Sequence, residues 1–488
     1  MSTFYVTTAI PYVNSDPHIG FALEALIADA IARYRRKQGD AVRSLTGTDD
    51  NSIKSVQAAE REGVPVVELV ARYADSFYRL GDALDLSVDD FIRTSSDARH
   101  RAGVNKLWSA CDAAGDIYKG HYRGRYCSGC ERFLDDSDLT GGRCSAHETV
   151  PEEVEEENWF FRLSRYTEQL LQLVTSRDIQ ILPESRRNEV LSLLRSGLRD
   201  FSISRSAERA RGWGLPVPRD PTQVMYVWFD ALGNYITALD YATDGPAFQQ
   251  YWLQSPHRVH IIGKDIIRFH AVYWPAMLLS AGIPLPTAIV THGFVTIDGR
   301  KISKSLGNVI DPFALVDEFG VDTVRYFLLR HIRTTEDGDF TRDRFVLSRN
   351  ADLSDQLGNL VSRVVAMVHR YLDGRVPTAR GGPLTGQARE LPSAVEVAMK
   401  RFAIHDAIGA IWGLVEAANR YVVETAPWVL AREADGRLED VLAELCAVIR
   451  TVGDCLEPFL PRTSSEILAR VGVPGNRVRT GPPLFPKT

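Results

Sequence analysis

The chain has no run of about 18 apolar residues such as a membrane-spanning helix needs. Its first residues, Met1-Ser2-Thr3-Phe4-Tyr5, lack the basic segment and apolar stretch of a secretory leader. Positive charge is not in excess: 57 Lys and Arg face 63 Asp and Glu, a formal net charge of −6. Any contact with nucleic acid must therefore come from local basic patches and not from a general field. Cysteine is scarce, six in 488 residues, and there is no internal repeat. These absences lead to the expectation of a soluble, cytoplasmic chain with reduced thiols and no membrane partner. The composition, 44% hydrophobic and 25% charged, is that of a globular protein of three or more domains.

Three of the cysteines cluster with one histidine. Cys127-x-x-Cys130 is followed, after thirteen residues, by Cys144-x-x-His147. Two knuckles at this spacing suit tetrahedral Zn²⁺ held by three thiolates and an imidazole, with Gly124, Gly129, Gly141 and Gly142 supplying tight turns. Four protein ligands leave no open position, so such a metal would be structural. A redox pair or unrelated thiols are the other readings. Cys111, Cys446 and Cys455 fall in apolar helical patterns and read as core thiols.

Two further elements have the chemistry of phosphate binding. Near the N-terminus, the β-branched run Phe4–Thr8 reads as a buried strand and is followed by Pro17-His18-Ile19-Gly20. A helical pattern then begins: Leu23, Leu26/Ile27, Ala30/Ile31 and Tyr34 recur at three-to-four spacing, and Lys37 and Gly39 close it. A strand, a turn and a helix start place backbone N–H groups and an imidazole where an anion binds. Standing alone, the turn would also fit an ordinary connection with a surface histidine. In mid-chain, Lys301-Ile302-Ser303-Lys304-Ser305 carries two lysines three apart between Gly299 and Gly307. Two ammonium groups on one loop can close over a triphosphate as pyrophosphate leaves. Alone, the loop would also fit a solvated surface segment.

In this order the two elements resemble the HIGH and KMSKS signatures of class I aminoacyl-tRNA synthetases. The resemblance extends over nearly the whole chain and narrows to the methionyl-tRNA synthetase family. It runs through Ala9-Ile10-Pro11-Tyr12, Thr46-Gly47-Thr48-Asp49, Tyr226–Ala231, Gly263-Lys264-Asp265-Ile266, Phe269-His270, Trp274–Met277 and Thr291-His292-Gly293. It implies ATP with Mg²⁺, methionine and a tRNA with a CAU anticodon as substrates, one structural Zn²⁺, and a monomer. His18, Lys301 and Lys304 would be catalytic. ATP would meet His18, Gly20, Gly263, Asp265, His292, Gly293, Lys301 and Lys304. Methionine would be held by Ile10, Tyr12, Asp49, Trp228, Leu232, Tyr235, His270 and Trp274. That assignment agrees with chemistry, since a thioether favours aromatic faces and an ammonium needs a carboxylate. Anticodon bases would be read by Asn359, Arg363 and Trp428. The pair Asn359/Arg363 shares one helix face.

The chain departs from the family at three places. Phe21 stands where the fourth HIGH residue is usually His. Asp50-Asn51-Ser52 replaces a stretch that usually carries His and Gly. Ile302 replaces Met. An imidazole at position 21 could donate to a phosphate oxygen beside the helix N-terminus, and Phe offers no donor. A slowed synthetase, a paralogue serving a non-tRNA acceptor, and a non-catalytic tRNA-binding regulator all follow as readings.

The expected architecture is α/β: a doubly wound, parallel, Rossmann-like catalytic domain (1–113 and 220–294) with an inserted zinc-knuckle domain (114–219). A KMSKS-loop and stem-contact region (295–343) and a helical anticodon-binding domain (344–488) would follow. Expected strands include Met225–Phe229, Val259–Ile262 and Ala288–Val290. Long helical periods run over Leu347–Leu372, Ala394–Thr425 and Leu438–Val471, and the Gly/Pro-rich stretch Gly374–Pro392 reads as a connection.

Overall fold

The computed structural model describes residues 2–127, 132–134, 136–145, 148–302 and 307–487. Six parallel strands form the central sheet: β1 (Thr3–Thr7), β2 (Ala41–Thr48), β3 (Asp90–Arg93), β4 (Gln180–Leu182), β5 (His257–Gly263) and β6 (Ala288–His292). Their spatial order is β3-β2-β1-β5-β6-β4. Val6, for example, lies between Ser44 of β2 and Val259 of β5. The order reverses between β1 and β5, and in open parallel sheets that crevice, beyond the carboxyl ends of the strands, takes the ligand. The residues that follow β1, β5 and β6 therefore border that crevice.

Helix α1 (Ile19–Lys37) follows β1. Leu23, Leu26, Ile27, Ala30, Ile31 and Tyr34 are buried on it, as the spacing predicts. Arg35, Arg36 and Lys37 occupy its last turn, where cations offset the carbonyl end of the helix dipole. The apolar side chains of α1 belong to one continuous core that extends into the C-terminal helices.

The segment after residue 114 opens with two long antiparallel strands, Ile117–Cys127 and Glu152–Phe161, flanked by Phe201–Ser202 and Arg132–Leu134. Part of it returns to the central sheet. Strand β4 pairs in parallel with β6, with Ile181 opposite Ile289. Three residues are too few to show a strand period in sequence, so this edge was not expected.

Three expectations need correction. Met225–Phe229 is not a strand of the central sheet. The strand is Asp220–Met225, in a small antiparallel sheet with Ser204–Ser206 and Pro216–Val217, and helix α2 (Val227–Thr237) begins straight after Tyr226. A short apolar run buried on all sides carries no period that separates strand from helix. The period Leu347–Leu372 is helical as far as Tyr371, by way of a π-helical stretch, Arg349–Gly358, but the other two C-terminal periods are interrupted. Thr385–Lys400 and Ile404–Thr425 are separate helices joined through Phe402 at φ 57, and Arg437–Leu456 ends before a new helix, Pro461–Val471. The stretch Gly374–Pro392 is only partly a connection, because Thr385–Lys400 includes Pro392.

Candidate active site

The turn from β1 into α1 is built around His18. The imidazole caps the helix: its Nδ1 accepts the Gly20 N–H at 3.1 Å. A neutral ring that accepts at Nδ1 carries its proton on Nε2 and can donate there. A Cβ at position 20 would lie 2.9 Å from the His18 ring, so any larger residue there would push the imidazole off its cap. Phe21 stacks on the same ring, with centroids 4.4 Å apart, and meets Phe77 edge-on at 5.1 Å. It therefore packs as a support for His18, in an apolar cluster with Val13, Leu69 and Phe77, and also lines a cavity of about 380 Å³ with Thr8, Ala9, Thr46 and Phe91.

Across the crevice, β6 ends in His292. Its Nε2 lies 2.7 Å from Glu24 Oε2, and Glu24 Oε1 accepts the Ala9 N–H at 2.8 Å. One carboxylate of α1 thus ties the ends of β1 and β6 together. Burial alone would push the His292 pKa down; the Glu24 hydrogen bond and charge more than offset this and hold it above its ordinary value. Gly293 is required next, since a Cβ there would meet the Glu336 carbonyl at 2.0 Å. After β5, Lys264 pairs with Asp337 at 2.6 Å and lies 4.5 Å over the Phe294 ring; Lys301 approaches the same ring at 5.7 Å. Asp265 is exposed beside Gly263. Lys304 lies outside the described residues.

The carboxylate candidate, Asp49, follows β2. Its N–H donates to the Pro11 carbonyl at 2.8 Å, and a bridge pairs it with Tyr12, so the two residues sit side by side. Asp49 Oδ1 accepts from the Asn51 N–H at 3.1 Å. The neighbouring Asp50 is fully buried and accepts from Arg93 Nη2 at 2.8 Å and Thr48 Oγ1 at 2.9 Å. Burial raises its pKa, with Arg93 acting against the rise.

Trp228, Leu232 and Tyr235 come from α2. His270 and Trp274 come from a π-helical turn (Phe269–Tyr273) and the helix α3 (Trp274–Ser280) that continues it. Trp228 stacks on Phe269 at 3.8 Å and meets Tyr12 edge-on at 6.3 Å. The Tyr235 hydroxyl lies 2.7 Å from His270 Nε2, and His270 Nδ1 is 3.0 Å from the Ile266 carbonyl. Burial lowers the His270 pKa to about 4, so the ring is neutral at pH 7. Ile10 packs against the same core. The structure thus packs Tyr12 on Trp228, Trp228 near His270, and His270 and Trp274 against Tyr235, with Ile10 and Leu232 in the same core.

Sequence reasoning missed the residues that hold this cluster. His260 on β5 accepts from Trp274 Nε1 at 3.2 Å, bonds Thr7 Oγ1 at 2.8 Å, and stacks on Tyr235 at 4.2 Å. Glu24 and Asp337 were also missed. A carboxylate inside the apolar stripe of α1 was a readable signal for Glu24; Asp337 had none.

Two other clusters lie apart from this crevice. Arg363 lies 5.7 Å over the Trp428 ring, and Trp428 is 44% exposed; Asn359 is exposed one turn before Arg363. Cys127 and Cys144 are buried with Leu134 in a small cluster of their own. Cys130 and His147 lie outside the described residues, and among the described residues no group of three or more metal-ligating side chains converges.

The family model for class I tRNA synthetases (M) matches residues 4–148 and 137–365. The methionine–tRNA ligase of Mycobacterium bovis is 44% identical over 491 residues, covering 98% of this chain and 93% of its own length. That of Brucella suis is 43% identical over 483 residues, covering 97% and 92%. The fold superposes on Mycobacterium tuberculosis methionyl-tRNA synthetase in complex with methionyl-adenylate with a TM-score of 0.95 at 42% identity, over the full length of both chains. The strand order, the crevice and these likenesses agree: the chain belongs to the methionyl-tRNA synthetase family of class I aminoacyl-tRNA synthetases.

Proposed function

We propose that the crevice makes methionyl-adenylate from methionine and ATP and that the chain passes the methionyl group to tRNA, as a methionine–tRNA ligase. The observation that carries this reading is the cluster of Trp228, Tyr235, His270 and Trp274, which Tyr12 joins to Asp49. Aromatic faces and a neutral imidazole suit a thioether, and they exclude a charged side chain. Asp49 holds the ammonium group. ATP enters with its Mg²⁺ against the His18 turn and the Gly263–Asp265 and His292–Gly293 segments. The methionine carboxylate attacks the α-phosphate and pyrophosphate leaves; a terminal ribose hydroxyl of tRNA then attacks the carbonyl and AMP leaves. No bond to the enzyme is needed, so His18, Lys301 and Lys304 act by positioning and by stabilising charge on the transferred phosphoryl group. ATP–pyrophosphate exchange with each amino acid in turn tests this: methionine should drive it best, and faster exchange with another amino acid would reject the pocket.

Arg363 and Trp428 form the stacking platform for anticodon bases, with Asn359 beside it. Trp428→Ala should weaken charging of a CAU-anticodon tRNA, since a stacking platform contributes about 1–3 kcal/mol per base. Pyrophosphate exchange should not change. Equal losses in both reactions would make Trp428 a packing residue.

For Zn²⁺, the chemistry of the donor set fits. Cys127 and Cys144 are buried in one cluster too small to be a core without a staple. Cys127, Cys130, Cys144 and His147 would hold the ion, and it would supply folding energy to the inserted strands. Purified protein should contain one zinc per chain, reduced in Cys127→Ser. Sub-stoichiometric metal that Cys127→Ser leaves unchanged would exclude the site.

A further inference from the structure

Asn51 departs from the family pattern and is one residue with two attachments. Its backbone N–H donates to Asp49 Oδ1 at 3.1 Å, and its side-chain Nδ2 donates to Asp230 Oδ2 at 2.7 Å. Asp230 lies on α2, between Trp228 and Leu232, and is 1% exposed. Its other oxygen, Oδ1, is 2.5 Å from His100 Nε2, and His100 Nδ1 is 2.9 Å from Thr237 Oγ1 at the far end of α2. His100 is fully buried on the helix Ala98–Ala113. That helix packs closely on α2: a Cβ at Gly103 would lie 2.4 Å from Thr237, and one at Gly233 would lie 2.8 Å from Val104.

These contacts join the two halves of the amino-acid site. The slot for the side chain rides on α2, and the carboxylate for the ammonium group rides on the turn after β2. Because α2 is not sequential with β2, side chains join the two: Trp213 Nε1, from the segment before α2, donates to the Asp50 carbonyl at 2.7 Å, and the chain Thr237–His100–Asp230–Asn51–Asp49 runs from one half to the other. We propose that Asn51, Asp230 and His100 are positioning residues that set the separation between ammonium anchor and side-chain slot, and so set which length of amino acid is accepted. The inference rests on the assignment of this crevice to methionine. Buried, charge-assisted hydrogen bonds of this length are strong and directional enough for the task. His100 also anchors Asp230 from the side away from Asn51, so the carboxylate does not turn when Asn51 is replaced.

The test is steady-state ATP–pyrophosphate exchange by the wild type, Asn51→Ala and Asn51→His, with methionine, norleucine and ethionine as substrates and with unfolding followed in parallel. Asn51→Ala leaves α2 and its packing on Ala98–Ala113 in place. It should raise KM for methionine on the order of tenfold, the loss of one charge-assisted bond, with KM for ATP unchanged and the protein still folded at the assay temperature. The preference for methionine over the two analogues should narrow. Asn51→His restores a ring donor and should recover part of the loss. An unchanged KM for methionine, or equal rises in KM for methionine and ATP, would overturn the positioning role while leaving the function intact. A wild type that exchanges with none of the three substrates would overturn the assignment of the crevice, and the brace with it.

Discussion

Arg325→Met should destabilise the folded protein by about 3–5 kcal/mol, the range for breaking a buried ion pair by removing one partner. Arg325 and Asp29 are both fully buried, and Nη2 of one meets Oδ2 of the other at 2.6 Å. The same guanidinium donates to the carbonyls of Leu84 at 3.0 Å and Phe459 at 2.7 Å. Four parts of the chain therefore meet on one side chain: α1 through Asp29, the turn before β3, the helix Val321–His331 that carries Arg325, and the junction between the last two C-terminal helices. Burial would raise the pKa of Asp29, but Arg325 and then Arg33 more than offset it and hold the carboxyl below its usual range. Methionine at 325 fills the volume and leaves Asp29 with Arg33, 2.9 Å away, and with the N–H and hydroxyl of Ser87. Denaturant midpoints of wild type, Arg325→Met, Asp29→Asn and the double variant measure the effect. The double variant should be less destabilised than the two single losses together, because it leaves no uncompensated charge. A loss below about 1 kcal/mol for Arg325→Met would place the pair among those that contribute little.

Acidification should weaken the fold between pH 6.5 and about 4, with His270 as a main source. Burial depresses its pKa from 6.5 to about 4. The unfolded chain takes up a proton there below pH 6.5, and the native chain does not until about pH 4. The unfolded state then binds more protons, so the stabilising contribution is complete above pH 6.5 and is lost as pH falls through the window. The full gap is worth about 3 kcal/mol at about 1.4 kcal/mol per unit. His260, lowered well below its ordinary value first by burial and then by His270, acts in the same direction. His292 acts oppositely: its raised value gives stability below pH 6.5 that is lost as pH rises through the folded value. Denaturant unfolding at pH 7 and pH 5 should show the loss in the wild type and a smaller one in His270→Gln, which keeps polar atoms beside Tyr235 without titrating. Equal losses in both proteins would mean that other groups govern acid stability.

Much of the crevice was legible because its chemistry lies in short local segments. The turn Pro17–Gly20, the pair Gly263/Asp265 and the aromatics Trp228, Tyr235, His270 and Trp274 each come with a recognisable neighbourhood in sequence. What was illegible depends on partners far apart along the chain. His260 has no motif of its own, and its role exists only because Thr7, Tyr235 and Trp274 converge on it. Phe21 read as a lost phosphate donor; its place against His18 and Phe77 was set by helix packing that sequence does not reveal. No sequence motif marks Arg325, and its burial follows from the docking of Asp29, Leu84 and Phe459 on it. Strand β4 was missed for its length, and α2 was misread because an all-apolar run has no face.

The central claim is that this site loads methionine onto tRNA. Incubation of the purified protein with labelled methionine, ATP, Mg²⁺ and total tRNA measures it directly. Acid-precipitable, alkali-labile methionyl-tRNA should form on CAU-anticodon species and diminish in Trp428→Ala. Methionine-dependent pyrophosphate exchange with no label on any tRNA would contradict that claim and would direct the adenylate to another acceptor.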